Sequence, residues 1–193
     1  MGSDAYLKIS KKAAAMQNKP STLFSTAVLF ACLDHEREEV NDWVSKIADE
    51  DMRGMDIEAL TTQVMAKFHI APLEIAGENE FEQTFEKNGN QLTVTIPFAG
   101  DPLLWLARPN FGSSLLLEGL VDEEGKRLIL TYLNPNNTGI GWCQQQFQRR
   151  LALIRQNIQS QADMLSQHPT RIANWARRAI DLRKQQMAAD GIL

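Results

Sequence analysis

"FEQTFEKNGNQLTVTIPF", Phe81 to Phe98, decides how this chain is read. Two alternating runs flank Asn88-Gly89, a dipeptide suited to the positive φ angles of a tight hairpin turn. The pattern predicts strands over 81–86 and 92–98. Downstream, "SLLLEGLVDEEGKRLILTYL" repeats it, with Gly125 in the turn and strands expected over 115–121 and 127–133. Two hairpins in succession predict a four-stranded, mainly antiparallel sheet.

On either side the period changes from two to three and four. Upstream, Ser21 after Pro20 is expected to cap a helical stretch reaching about residue 48, as one long helix or two shorter ones. Its stripe is Leu23, Ala27, Phe30 and Leu33, resumed by Val40, Val44 and Ile47. Asp56 is expected to cap a further helix through Phe68, because the residue before Pro72 avoids helical dihedrals. Downstream, Phe147, Leu151, Ile154, Ile158 and Leu165 mark one helix. Thr170 is expected to cap a second, with Ile172, Trp175, Ala179, Leu182 and Gln186 as its packed stripe. "SQHPT" between them predicts an antiparallel helical hairpin.

The class is therefore α+β: N-terminal helices, a sheet of two hairpins, then the helical hairpin. A flexible leader over 1–20 precedes one domain over 21–193. That domain is divided into helical 21–70, sheet 71–135 and hairpin 138–190. A chain of 193 residues buries enough surface on folding to need no disulfide or metal staple. Cys32 and Cys143 stand far apart and are read as small core residues.

Lysines before the apolar stretch 23–33, and its ending "LFAC", imitate a lipoprotein signal. The basic leader is too long, the apolar core is short, and Phe30 is bulky beside the would-be cleavage point. The expectation is a cytoplasmic protein with no membrane contact. Charge is uneven: residues 141–193 hold eight Lys and Arg against three Asp and Glu, while the net charge of the whole chain is −4. Such asymmetry marks an anionic partner, or two parts of one fold attracting each other. Overall acidity favours the second reading.

"LTVTIPFAGDPLLWLARPN", Leu92 to Asn110, turns from strand to corner. Pro97 belongs at a strand end or edge. Gly100 permits a sharp bend. Asp101 and Pro102 are the N-cap and N1 pair of a short helix that buries Trp105 and ends at Arg108 before Pro109. The rival makes Asp101 an acid/base and Arg108 an anion clamp, but no second titratable partner lies near in sequence. A nucleophile assembled from Cys143, His168 and Asp163 would need residues from opposite ends of one helix, more than about 35 Å apart. His35 in "HEREE" lacks the second histidine of a zinc site and reads as a solvated face. No catalytic residue, metal site or cofactor is expected.

The helical C-terminal part carries the candidate binding residues Arg149, Arg150, Arg155, Arg177, Arg178 and Arg183, with Trp142 and Trp175 as candidate anchors. The arginines are scattered around the helices, without the interleaved aromatics of a base-stacking surface. Pairing with the acidic N-terminal half is the favoured reading of these arginines. Nucleic-acid binding is the alternative.

The corner, with Ile96, Pro97, Phe98, Gly100, Asp101 and Leu104, is followed by "LLLEGLVDEEGKRLILTYL" and the closing "RRAIDLRKQQMAADGIL". This order resembles a module of bacterial anti-phage defence proteins, sometimes placed ahead of a TIR-like or nuclease effector. "VMAKFHIAPLEI" upstream is also similar, so the likeness runs from about residue 59 onward. The chain departs from that pattern by stopping at Leu193 with no effector. The resemblance implies a sensor or scaffold subunit that binds a protein of the same locus or itself, and it lends no catalytic residue.

Overall fold

The computed structural model describes residues 20–25, 27–86, 90–109, 117–135 and 139–192. The Asn88-Gly89 turn and all but the last residue of the expected leader lie outside them. The chain divides into two compact units. A sheet unit comprises Met1–Phe30 and Ala71–Asp163, and a helical unit comprises Ala31–Ile70 and Met164–Leu193.

The sheet unit is built on β4 (Glu82–Phe85), β5 (Gln91–Ala99), β7 (Leu117–Asp122) and β8 (Arg127–Leu133). They are the four strands of the two hairpins, antiparallel in the order β4-β5-β8-β7. Leu92 faces Tyr132 and Val94 faces Leu130 across β5 and β8. Leu92, Val94, Ile96, Leu128, Leu130 and Tyr132 are buried on one face, as a period of two requires. The other face carries the row Thr84, Thr93 and Thr131.

Two short strands extend this sheet. β1 (Ser21–Leu23) pairs antiparallel with β7, and β3 (Glu74–Ile75) pairs with the end of β5. A two-residue parallel pair joins β2 (Ala27–Val28) to β6 (Ala107–Arg108). Ser21 is thus in a strand and caps no helix. The helix α1 (Leu29–Ser45) starts eight residues later. Pairing with the distant β7 decides this segment, and such non-local pairing overrides a local cap signal.

The helix α4 (Ile140–Leu165) lies against the sheet through ring contacts. Phe147 meets Tyr132 edge-on at 6.1 Å and Phe81 at 6.2 Å, and the Cys143 thiol is 3.7 Å from the Tyr132 carbonyl. Its buried stripe runs Cys143, Phe147, Leu151 and Ile154, then continues through the polar Asn157 and Gln161.

The helical unit contains α1 from Ala31 onward, α2 (Asp49–Gly54), α3 (Ile57–Lys67) and α5 (His168–Ala189). Asp56 caps α3 by accepting from the Ala59 amide at 2.6 Å. Val40 and Val44 of α1, Met52 of α2, Leu60 and Val64 of α3, and Ile172, Ala176, Ile180 and Met187 of α5 form one core. At the C-terminal end, Gly191 adopts φ +69° and the Ile192 amide bonds back to the Met187 carbonyl at 2.8 Å, closing α5.

The two helices expected of the C-terminal part are α4 and α5. α4 and α5 are separated only by Ser166 and Gln167, and Gln167 keeps near-helical dihedrals of −94° and −6°. Each helix uses its apolar stripe within its own unit. Thr170 lies inside α5, because the helix already begins at His168 with Pro169 in its first turn, where no amide is needed. The packed face of α5 is also rotated from expectation. Ile172, Ala173, Ala176, Ile180 and Met187 are buried, whereas Leu182 is 67% exposed. Trp175 and Ala179 are partly buried against the same core, and Leu182 is left toward solvent.

Candidate functional site

The corner after β5 is rigid and closed. Gly100 adopts φ +99°, and a Cβ there would stand 2.1 Å from the Pro72 carbonyl oxygen. Only glycine fits such an approach. The Asp101 carboxylate accepts from the Leu103 amide at 2.9 Å and caps the 3-10 turn Pro102–Trp105. Its own amide bonds to the Ala71 carbonyl at 2.9 Å. Trp105 is fully buried between Phe24 (ring centroids 5.6 Å apart) and Phe98 (5.4 Å, edge-on). Pro97 faces Arg127 at the end of the β5–β8 ladder. Arg108 is exposed on β6, beside Val28. Asp101 is therefore committed to a cap.

Gln161 ties the corner to α4. Its amide nitrogen donates to the Leu104 carbonyl at 2.8 Å and to the Ala107 carbonyl at 2.6 Å. This role was not read from the sequence. The signal was there: the spacing from Ile154 reaches 157 and 161, and a polar residue at a core period asks for a buried partner.

Cys143 and His168 are each occupied elsewhere, Cys143 on the Tyr132 carbonyl and His168 against Glu36. Asp163 accepts from Gln159 at 2.8 Å. Cys143 and Asp163, twenty residues apart on α4, lie about 30 Å from each other. The other cysteine, Cys32, has its thiol pushed up to about 11 by burial and by the Glu36 carboxylate. His35 lies 3.2 Å from Glu38 and 3.7 Å from Glu39 along α1. Among the described residues no three His, Cys, Asp or Glu side chains gather as metal ligands. Among them, too, no helix is long and apolar enough to cross a membrane.

The arginines are mostly engaged within their own units. Arg177 grips Glu58 through two bonds of 2.9 Å, which holds the Glu58 carboxyl below its usual range. Arg183 donates to Asp49 at 2.9 Å and to the Val44 carbonyl near the end of α1. Arg171 reaches Asp34 at 2.6 Å and stacks over the Trp175 ring at 5.0 Å. In the sheet unit, Arg155 pairs with Glu78 at 2.9 Å, and Arg150 lies 5.0 Å from the centre of the Tyr132 ring. Burial pushes the Tyr132 hydroxyl up to about 12, with Arg150 opposing the shift. Arg149 and Arg178 are exposed, and Trp142 is half-buried at the start of α4.

One surface of the helical unit combines exposed apolar side chains with concave shape. Its edge on α5 is Trp175, Ala179 and Leu182, at spacings of four and three, with Trp175 and Ala179 partly buried against the core and Leu182 exposed. On one side of it a cavity of about 450 Å³ is bounded by Arg37, Asn41, Trp175, Arg178 and Leu182. On the other, a cavity of about 490 Å³ is bounded by Val44, Ala179, Leu182, Met187 and Ile192. Leu182 is thus a ridge between two hollows. The first hollow is also bordered by Asp181, and the second by Asp49, Arg183 and Asp190, so both combine apolar walls with a charged rim.

Compared with known proteins, the chain matches no family model, no curated protein and no solved structure.

Proposed function

We propose that this protein is a non-catalytic interaction module, and that the outward face of α5 is where it holds a protein partner. One observation carries the reading. Leu182 of α5 is left 67% exposed, while Trp175 and Ala179 beside it are only partly buried against the core of the unit. An exposed leucine between two hollows, beside a half-buried tryptophan, is the composition of an interface centre.

The electrostatics favour protein over nucleic acid. Arg171, Arg177 and Arg183 are turned onto carboxylates of their own unit, which reduces the cationic surface that phosphate binding requires. A cytoplasmic place in a bacterial multi-protein system, as sensor or scaffold of an anti-phage defence locus, is supported by the resemblance of the corner and the closing helix alone.

Affinity purification of the chain from its native host, tagged and at its natural level, tests the reading. A stoichiometric partner that is lost on Leu182→Asp is expected. Recovery of the chain without any partner, itself included, overturns it.

A further inference from the structure

We infer that the partner for this face is a second copy of the same chain, joined through α5 in an antiparallel, two-fold arrangement. This deepens the interaction reading above and rests on it.

The first argument is shape. A two-fold interface uses the same patch on both subunits, so the patch must be its own complement. Leu182 projects between two hollows on one surface. A ridge beside a groove is what helix packing needs on each side of such a contact. The second argument is spacing. Trp175 and Leu182 are equidistant from a point between Arg178 and Ala179. If the two-fold axis passes there, Trp175 of one copy lies opposite Leu182 of the partner subunit, and the reverse holds at the same time. The large ring meets the projecting leucine twice, with Ala179 leaving room at the centre.

The third argument is charge. Arg178 and Asp181 are both exposed, and neither makes an ion pair among the described residues. In this arrangement Arg178 comes within about 3 Å, along the axis, of Asp181 of the partner subunit, at about 1.5 Å per residue. Two reciprocal pairs of opposite sign then flank the apolar centre. A parallel pairing about the same axis position would set like charge against like. The contact is one helix face and its hollows, at the small end of specific interfaces, so association belongs in the micromolar range.

Sedimentation of the purified full chain from about 1 µM to about 1 mM reads this directly. Wild type is expected to form a dimer that Leu182→Asp converts to monomer. The exposed charges give a test that does not depend on folding defects. Arg178→Asp alone and Asp181→Arg alone should each weaken the dimer about tenfold or more, because like charges then face each other. An equimolar mixture of the two variants should restore it, since both reciprocal pairs regain opposite sign. A wild-type monomer at the top concentration, a dimer indifferent to Leu182→Asp, or a mixture no tighter than its components would each overturn the two-fold arrangement.

A photo-crosslinker placed at position 182 in the native host separates this inference from the broader one. An adduct of twice the chain mass supports self-pairing. An adduct with a different chain overturns self-pairing and leaves the interaction reading standing. No adduct at all removes both.

Discussion

Glu36 and His168 face each other inside the helical unit, 4% and 3% exposed, as a hydrogen-bonded pair between α1 and the first residue of α5. Buried polar partners of this kind are costly to separate, because whichever remains loses water and gains nothing. His168→Leu should therefore destabilise the protein by about 3–5 kcal/mol. Glu36→Leu combined with His168→Leu should recover most of that loss, since a well-packed apolar pair of similar volume is often neutral. Urea unfolding of the two single variants and the double variant measures the coupling. If the double variant is as unstable as the two losses added together, the pair is not coupled.

Cys32, one turn before Glu36, gives a pH signature on the alkaline side. Its thiol is raised from the ordinary value of 9.0 to about 11 in the folded chain, by burial first and the Glu36 carboxylate second. Between those values the unfolded chain releases a proton that the folded chain keeps. Stability therefore falls as pH rises from about 9 toward 11. Cys32→Ala should flatten that alkaline decline, measured by thermal unfolding across the range. The native thiol should also resist alkylation at pH 8 and react once urea unfolds the chain. Rapid native labelling of Cys32 would contradict its placement.

Part of this fold was legible in the sequence. The hairpin strands were, because a period of two and a turn residue are local signals. β8 spans Arg127–Leu133, the range the alternation gives. The phase of α5 was not. Ile172, Trp175, Ala179 and Leu182 fit one helical stripe, and Ile172, Ala176, Ile180 and Met187 fit another. Which of them packs most deeply depends on the partner helix α3, which no spacing within α5 reveals. Ser21 fails for a similar reason, since its strand partner Gly119 is nearly a hundred residues away. The corner at Gly100 and Asp101 was readable because a cap and a bend need only neighbours.

Glu58 and Arg177 should leave a mark on the acid side. The Glu58 carboxyl is held below its ordinary value of 4.5, first by the hydrogen bonds from Arg177 and then by that residue's charge. A carboxyl lowered in the folded state stabilises fully above its unfolded value and loses the contribution as pH falls through the folded one. Arg177→Met should return the Glu58 titration, followed by carboxyl NMR shifts, to the ordinary range. It should also make unfolding less sensitive to pH below about 4.5. Both groups are exposed, so the effect on neutral-pH stability should be small. An unchanged Glu58 titration in Arg177→Met would remove the pair from solution.

Gln161 offers the sharpest test of the corner, because one amide nitrogen serves the carbonyls of Leu104 and Ala107 together. Gln161→Leu keeps the volume but removes both donors, at a cost of about 1–3 kcal/mol for each carbonyl left without a partner. Gln161→Glu should be worse at neutral pH, since an oxygen then faces two carbonyl oxygens and an ionised carboxylate is buried. That variant has its own pH dependence. Burial and the facing carbonyls raise its carboxyl in the folded state, so it should regain stability as pH falls and the protonated acid supplies one donor. The order of thermal midpoints at pH 7 should be wild type, then Gln161→Leu, then Gln161→Glu. On acidification the gap between the two variants should close. If Gln161→Leu melts with the wild type, the clamp does not hold the corner, and Trp105 owes its position to Phe24 and Phe98 alone.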